Sequence, residues 1–300
     1  MKELHHDCPV CGSSGTSFFL WCRDHTVTGE AFSLFRCNNC LLVFTTEAPD
    51  ENEIGRYYES DNYISHTDSG NTFSDKIYYA VRKIMLRRKR TLVRKTTNKN
   101  SGTLLDIGSG TGHFAAFMKK SGWNVIGIEI NERAREYSVK KSGLDAYPPG
   151  KLKSLPSGSF DCVTMWHVLE HLRDPGSTLA EIKRLLSPGG RAIIALPNNI
   201  SFDNFRYRQF WAAYDVPRHL LHFNPVSFAY TAAQAGFDIV NTKSLPFDVF
   251  YISYLSEKNR GSKIPFFKGL FYGIIFFLLS LSDKSRSSSL VYVIAPVNKG

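Results

Sequence analysis

The stretch LLDIGSGTG, Leu104 to Gly112, decides how this chain is read. An apolar run ends in Asp106 and passes into alternating glycines, Gly108, Gly110 and Gly112. HFAAFMKKSG follows, with apolar residues at helical spacing. The pattern is strand, tight turn, helix. Glycine suits such a turn because the backbone must bend sharply and let a ligand approach where a Cβ would collide. The helix beyond presents unpaired N–H groups at its start. A second apolar run, NVIGIEI, puts Glu129 at its end, where an acidic side chain can accept both hydroxyls of a ribose. The G-x-G-x-G spacing, with no Lys-Ser/Thr after it, argues against a triphosphate loop and for a nucleoside.

Outward from the turn, strands and helices alternate: TLLDI (103–107), helix, NVIGIEI, the helical NERAREYSVKKSG, a short strand near Asp145 to Tyr147, FDCVTMW, helix, GGRAIIAL, and a last strand SLVYVIAP (289–296). Alternation of this kind implies an α/β fold with a parallel sheet and helices on both faces. With FDCVTMWHVLEHLRDP (160–175), LLSPGGRAIIALPN (185–198) and AGF (235–237) in order, the chain resembles the class I S-adenosylmethionine-dependent methyltransferases over about two thirds of its length. The resemblance implies a doubly wound seven-stranded sheet in the order 3-2-1-4-5-7-6, strand 7 antiparallel, with cofactor over the carboxyl ends of strands 1, 2 and 4. It further implies that Asp106, Gly108, Gly110 and Gly112 hold the methionine end of S-adenosylmethionine, that Glu129 holds the ribose, and that His167 lies beside the cofactor. The family usually has an acidic residue near the adenine after strand 3. Here GKLKSLPSGSFD has lysine and serine instead, which leaves the backbone near Leu152 to Ser154.

Three hundred residues with 43% apolar content suffice for a full α/β core and a small extra module. Cys8 and Cys11, then Cys37 and Cys40, form two C-x2-C pairs separated by 25 residues, the layout of a zinc ribbon. Four thiolates make a closed, structural Zn2+ site. Such a ribbon is expected to melt independently of the sheet. Cys22 and Cys162 read as small core residues. The predicted division is therefore a ribbon over 1–50, a tyrosine-rich and basic helical connector over 51–100, and a methyltransferase domain over 101–300 with insertions at 198–224 and 246–288. The start, MKELHHDCPV, lacks the basic-then-apolar layout of a signal peptide, so a cytoplasmic location is expected.

The net charge of +10 is concentrated between Arg82 and Lys99, where there are nine basic residues and no acidic one. Nucleic acid, anionic lipid, a phosphorylated substrate or plain solvent would each suit that run. Gly269 to Ser282 holds fourteen consecutive uncharged residues between basic flanks. That is shorter than the roughly 20 residues a bilayer span needs. It fits a helix in a membrane interface, giving peripheral contact through 264–282 at the inner face of a membrane, or a helix buried in the domain or against a partner.

For the chemistry, the chain resembles methyltransferases with this cysteine-rich start, including those acting on deoxysugars, which place tyrosines near the substrate; Tyr58 and Tyr63 match, unless these aromatics only dock one domain on the other. His167, Glu170 and His171 form H-x-x-E-H, a zinc-protease pattern. Its place directly after an apolar strand argues against that chemistry, and Glu170 and His171 are expected to fix the start of the following helix. DVPRHLLHF puts His219 and His222 after strand 5, near Asp215 and Arg218. Either imidazole suits a general base near neutrality, with His222 first and Tyr63 next in line, unless they cap a helix or pair with Asp215. The function expected is S-adenosylmethionine-dependent methyl transfer to an O or C centre of a small-molecule acceptor, either a sugar, a quinone-like or a lipid-linked intermediate. The alternatives are an RNA methyltransferase or a silent S-adenosylmethionine-binding module. Nucleic acid is disfavoured, since neither N-P-P-Y, D-P-P-Y nor a Pro-Cys pair follows strand 4. The oligomeric state is not legible.

Overall fold

The computed structural model describes residues 6–50, 52–58 and 73–297. In chain order the strands are β1 (Thr16–Arg23), β2 (Ala31–Cys37), β3 (Val43–Thr45), β4 (Thr103–Ile107), β5 (Asn124–Ile128), β6 (Asp145–Tyr147), β7 (Phe160–Trp166), β8 (Leu186–Pro197), β9 (Leu221–His222), β10 (Phe237–Ser244) and β11 (Ser289–Pro296). Seven of them form one sheet, ordered β10-β11-β8-β7-β4-β5-β6. This is the expected 3-2-1-4-5-7-6 order, and β11 runs antiparallel to both its neighbours. Strands covered on both faces should read as near-continuous apolar runs. Accordingly, Leu104 and Leu105 of β4, Val163 and Met165 of β7 and Ile193 to Leu196 of β8 are buried.

The helices are α1 (Phe73–Thr97), α2 (His113–Lys120), α3 (Glu132–Ser142), α4 (Pro175–Leu185), α5 (Phe202–Tyr207), α6 (Pro225–Gln234), α7 (Asp248–Asn259) and α8 (Pro265–Ser282). Their starts follow local chemistry. Asn131, Asp174, Ser201 and Asn224 each accept a hydrogen bond from a backbone N–H in the first turn of the helix that follows. Pro175 and Pro225 occupy first-turn positions where a missing N–H costs nothing.

A second, antiparallel sheet has the order β1-β2-β3-β9, so the N-terminal cysteine module is completed by a strand from the 198–224 insertion. Val43 pairs with His222 and Phe44 with Leu221. Cys8, Cys37, Cys40 and Leu42 pack in the same apolar cluster as Leu105, Ile107 and Phe228. The module thus shares its core with the large sheet.

The 246–288 insertion becomes α7 and α8, packed as an antiparallel pair. Gly269 and Gly273 of α8 lie against Tyr254 and Phe250, too close to admit a Cβ. The helix has eighteen residues, four more than the uncharged run, because Pro265 starts it and Lys268 lies inside it. Its length, about 27 Å at 1.5 Å per residue, and its composition would allow a span, but 22% of it is buried against the protein. Phe266, Phe267, Leu270, Phe271, Ile274 and Leu278 of the opposite face are exposed.

Candidate active site

The glycine turn ties β4 to β5. Gly108 and Ser109 both donate to the Ile128 carbonyl, at 2.7 and 3.0 Å. All three glycines have positive φ, and their surroundings differ. A Cβ on Gly108 would collide with Val168 from the loop after β7, and one on Gly112 with Ser138 and Leu144 behind α3. A Cβ on Gly110 would meet nothing within 4 Å among the described residues. So the close approach at Gly108 is first to a protein side chain, and Gly110 is the open position. The Gly110 N–H donates to Glu129 Oε2 at 2.7 Å, while Glu129 Oε1 accepts from Asn131 N at 2.9 Å.

Asp106 is buried at the end of β4 and accepts from the Thr164 hydroxyl at 2.6 Å. Burial pushes its carboxyl up to about 6, against the pull of that hydrogen bond and of Lys89. Lys89, one turn before the buried Val93 on α1, lies 4.0 Å above the Trp166 ring. Burial lowers its ammonium to about 8, although Asp106 and Asp248 draw it the other way. Nothing in the run of nine basic residues singles out Lys89. Only its i, i+4 relation to Val93 hints at an inward face.

His167 follows β7 with φ of 58°, a conformation uncommon outside glycine and asparagine. Its Nε2 lies 3.1 Å from Asp248 Oδ2 and its Nδ1 3.4 Å from Glu170 Oε1. Burial works to lower its pKa, but the two carboxylates prevail and raise it to about 9. Asp248, the first residue of α7, has no sequence signal of its own. Glu170 and His171 lie in a short 3-10 turn, Leu169–His171, and do not cap α4, whose N-cap is Asp174. That departs from expectation, because the 3-10 turn faces the 198–224 segment: the Leu220 N–H donates to the Glu170 carbonyl at 2.9 Å.

The base candidates separate. His222 is buried within β9, its Nε2 3.0 Å from Thr45 Oγ1 and its ring 5.2 Å from that of Tyr214. Burial and His219 together hold its pKa well below the ordinary value. His219 packs edge-on against His171, with ring centroids 4.5 Å apart, and its Nδ1 is 2.9 Å from the Ala213 carbonyl. His171 Nδ1 lies 3.0 Å from the Arg218 carbonyl and 3.2 Å from the Tyr58 hydroxyl. Burial and His219 lower His171 to about 4. Asp215 pairs with Arg218 at 2.7 Å, and Arg218 also reaches the fully buried Asp24 at 2.9 Å. Tyr63 lies outside the described residues.

A methyltransferase-domain family model matches residues 78–242, more than half of the chain, from within α1 to within β10, and takes in the glycine turn, Glu129 and His167. The chain belongs to the methyltransferase-domain family. Among similar methyltransferases are the ubiquinone biosynthesis O-methyltransferase of Caulobacter vibrioides, 36% identical over 103 residues, which are 32% of this chain and 41% of that one. Another is the ubiquinone/menaquinone biosynthesis C-methyltransferase of Desulfotalea psychrophila, 31% identical over 138 residues, 43% of this chain and 55% of the relative. The chain thus spans about half the length of these curated relatives. The solved structure of the cyclase SpnF shares the fold, with a TM-score of 0.50 at 18% identity, covering 70% of this methyltransferase and 81% of that chain.

In the N-terminal module, the four cysteines of the two C-x2-C pairs converge. Cys8 and Cys40 Sγ atoms are 3.6 Å apart, Cys11 and Cys37 3.5 Å, and all four lie within 4.8 Å of one another. Four sulfurs at about 2.3 Å from one zinc would stand at nearly this separation. All four are free thiols, and so are the buried Cys22 and Cys162.

Proposed function

We propose that this chain transfers a methyl group from S-adenosylmethionine to an oxygen or carbon of a small-molecule acceptor. The observation that supports it is the juxtaposition of Glu129 and Gly110 at the carboxyl ends of β4 and β5, where an acidic acceptor meets an open glycine and a backbone N–H. S-adenosylmethionine supplies an electrophilic methyl group on a sulfonium. The chain then has two tasks, in-line placement of the nucleophile and acceptance of its proton. Asp106 and the glycine turn hold the methionine end, Glu129 exchanges its backbone contacts for ribose hydroxyls, and His167 is fixed beside them by Asp248 and Glu170. The acceptor enters over the ends of β7 and β8, where Tyr58, His171 and His219 gather. Ionisation of the acceptor falls to that group rather than to His222, whose Nε2 is engaged by Thr45 inside the smaller sheet. The relatives named for quinone biosynthesis favour a quinone-like or lipid-linked acceptor over a sugar.

Titration calorimetry tests the assignment. Wild type should bind S-adenosylmethionine, and Glu129→Ala should bind it at least about tenfold more weakly, since a hydrogen bond to a charged group contributes about 1.5–3 kcal/mol. Equal affinity in the two would place the ribose elsewhere. The four cysteines are assigned one structural zinc. The exposed face of α8, flanked by Lys258, Arg260, Lys263, Lys284 and Arg286, is assigned to an anionic membrane interface, which would bring the enzyme to a lipid-linked acceptor. Flotation with anionic vesicles checks this: a variant lacking 264–282 should stay at the bottom of the gradient while the intact chain rises.

A further inference from the structure

We propose that Glu170, His171 and His219 hold a divalent transition-metal ion, separate from the four-cysteine site. A ring nitrogen of each histidine and a carboxylate oxygen of Glu170 lie within 4.8 Å of one another. Two further observations point to a ligand. First, Glu170 is 1% exposed, its Oε1 has His167 Nδ1 at 3.4 Å as its one ion-pair neighbour, and among the described residues neither carboxylate oxygen accepts a hydrogen bond, which leaves Oε2 open. A buried carboxylate left without hydrogen bonds is costly, and a cation would remove that cost. Second, each imidazole turns Nδ1 to a backbone carbonyl, Arg218 for His171 and Ala213 for His219. A carbonyl only accepts, so in both rings Nδ1 carries the hydrogen and donates it. The Nε2 lone pairs remain for a metal, and carbonyl-fixed tautomers of this kind orient the imidazoles of metal sites.

Two imidazoles and one carboxylate suit zinc, iron(II) or cobalt(II) better than magnesium or calcium, which prefer oxygen alone. Three protein ligands also leave coordination positions open, unlike four thiolates. The carbonyls that set the tautomers belong to the segment anchored by the buried Arg218–Asp24 pair, so the site is built by that anchor.

The use of this ion rests on the methyl-transfer reading; its presence does not. An acceptor hydroxyl at an open position would release its proton to bulk water, because the cation stabilises the oxyanion left behind. That oxygen forms the new O–C bond to the methyl carbon as the C–S bond breaks, and the sulfur leaves as a neutral thioether.

The test is a cobalt titration of the whole chain with its cysteine site already filled with zinc. Wild type should take up one further equivalent of Co2+, with visible absorption from nitrogen and oxygen ligands and no sulfur-to-cobalt charge transfer. Glu170→Gln and His219→Ala should each weaken that uptake at least tenfold. His171→Asn, at a half-buried position, is the variant least prone to misfolding and should do the same. No further equivalent in wild type, or one retained by all three variants, overturns the site. Calorimetry with S-adenosylmethionine on the same samples keeps the two ideas apart. Cofactor bound without cobalt uptake defeats the metal alone, and cobalt uptake without cofactor binding defeats the methyl-transfer reading alone.

Discussion

The two sides of the sheet's carboxyl edge are built in opposite ways. The glycine-turn side is assembled from neighbours in the chain, Asp106 through Glu129, and Glu129 and Gly108 to Ser109 make their contacts with backbone groups. The side facing the 198–224 segment is assembled from Asp24, Thr45, Tyr58, Glu170, His171 and Arg218 to His222, with Arg218 and Asp24 meeting across 194 residues. Their electrostatics also differ in sign. Asp106 is pushed up by burial with one hydroxyl donor in contact. Asp24, also buried, is held below the ordinary carboxylate range by backbone N–H groups of its own turn and by Arg218. The first side leaves Asp106 buried with its charge only partly compensated, whereas on the second the Arg218–Asp24 anchor is compensated beforehand and Glu170 is the acid left open.

The largest perturbation of this contrast is Cys37→Ser. Zinc binding to such a site is worth on the order of 10 kcal/mol, so losing even a fraction of it matters. Because the cysteines share a core with Leu105 and Ile107, the whole chain should melt lower, instead of residues 1–50 melting alone. Hydrogen exchange should rise first in β1 to β3 and in β9, while β4 and β5 stay protected. Protection of β9 unchanged in this variant would mean that the two segments are not coupled.

Next in size is Arg218→Met, which leaves Asp24 and Asp215 without their cation. Breaking one partner of a buried pair costs about 3–5 kcal/mol. Chemical denaturation should report that loss, together with weaker stabilisation above about pH 4: the Asp24 contribution is present above its unfolded pKa and is lost as pH falls through the lower folded value. Cofactor affinity should stay within about threefold. A tenfold fall in that affinity would show that the two sides are one unit.

The smallest effect has the reverse sign. Asp106 has a folded pKa of about 6, raised from 3.8, so its contribution is fully present below pH 3.8 and lost as pH rises through 6. Asp106→Asn keeps an acceptor for Thr164 and removes that loss, so the cofactor-free variant should be more stable than wild type at pH 8, by on the order of 2–3 kcal/mol. The same variant should bind S-adenosylmethionine more weakly. A less stable variant at pH 8 would mean that Lys89 and Thr164 stabilise the ionised Asp106 enough to offset its burial, so that its folded pKa is not raised.

Legibility in the sequence followed the same division. The glycine turn, the acidic end of β5 at Glu129 and the cysteine pairs were readable because each depends on residues a few positions apart, where periodicity and turn chemistry act directly, and the strand order followed from the family resemblance those motifs carry. Gly108 was only half legible: its need for positive φ is local, but Val168, the group it makes room for, comes from another loop. The partners of the histidines were not legible. That His222 would meet Thr45, and His219 a carbonyl six residues before it, depends on how 198–224 packs on the first sheet, and no spacing encodes that. Lys89 and Asp248 were hidden for the same reason, being ordinary charges until the fold brings them beside Asp106 and His167.

The pairing of β3 with β9 has a consequence for how the chain is made. Thr45 and His222 are 177 residues apart, so the N-terminal sheet emerges with one edge unpaired and waits for its last strand. At about 5–20 residues per second, that interval is roughly 10 to 35 s of synthesis. The N-terminal module therefore keeps an open edge until the strand that completes it is translated.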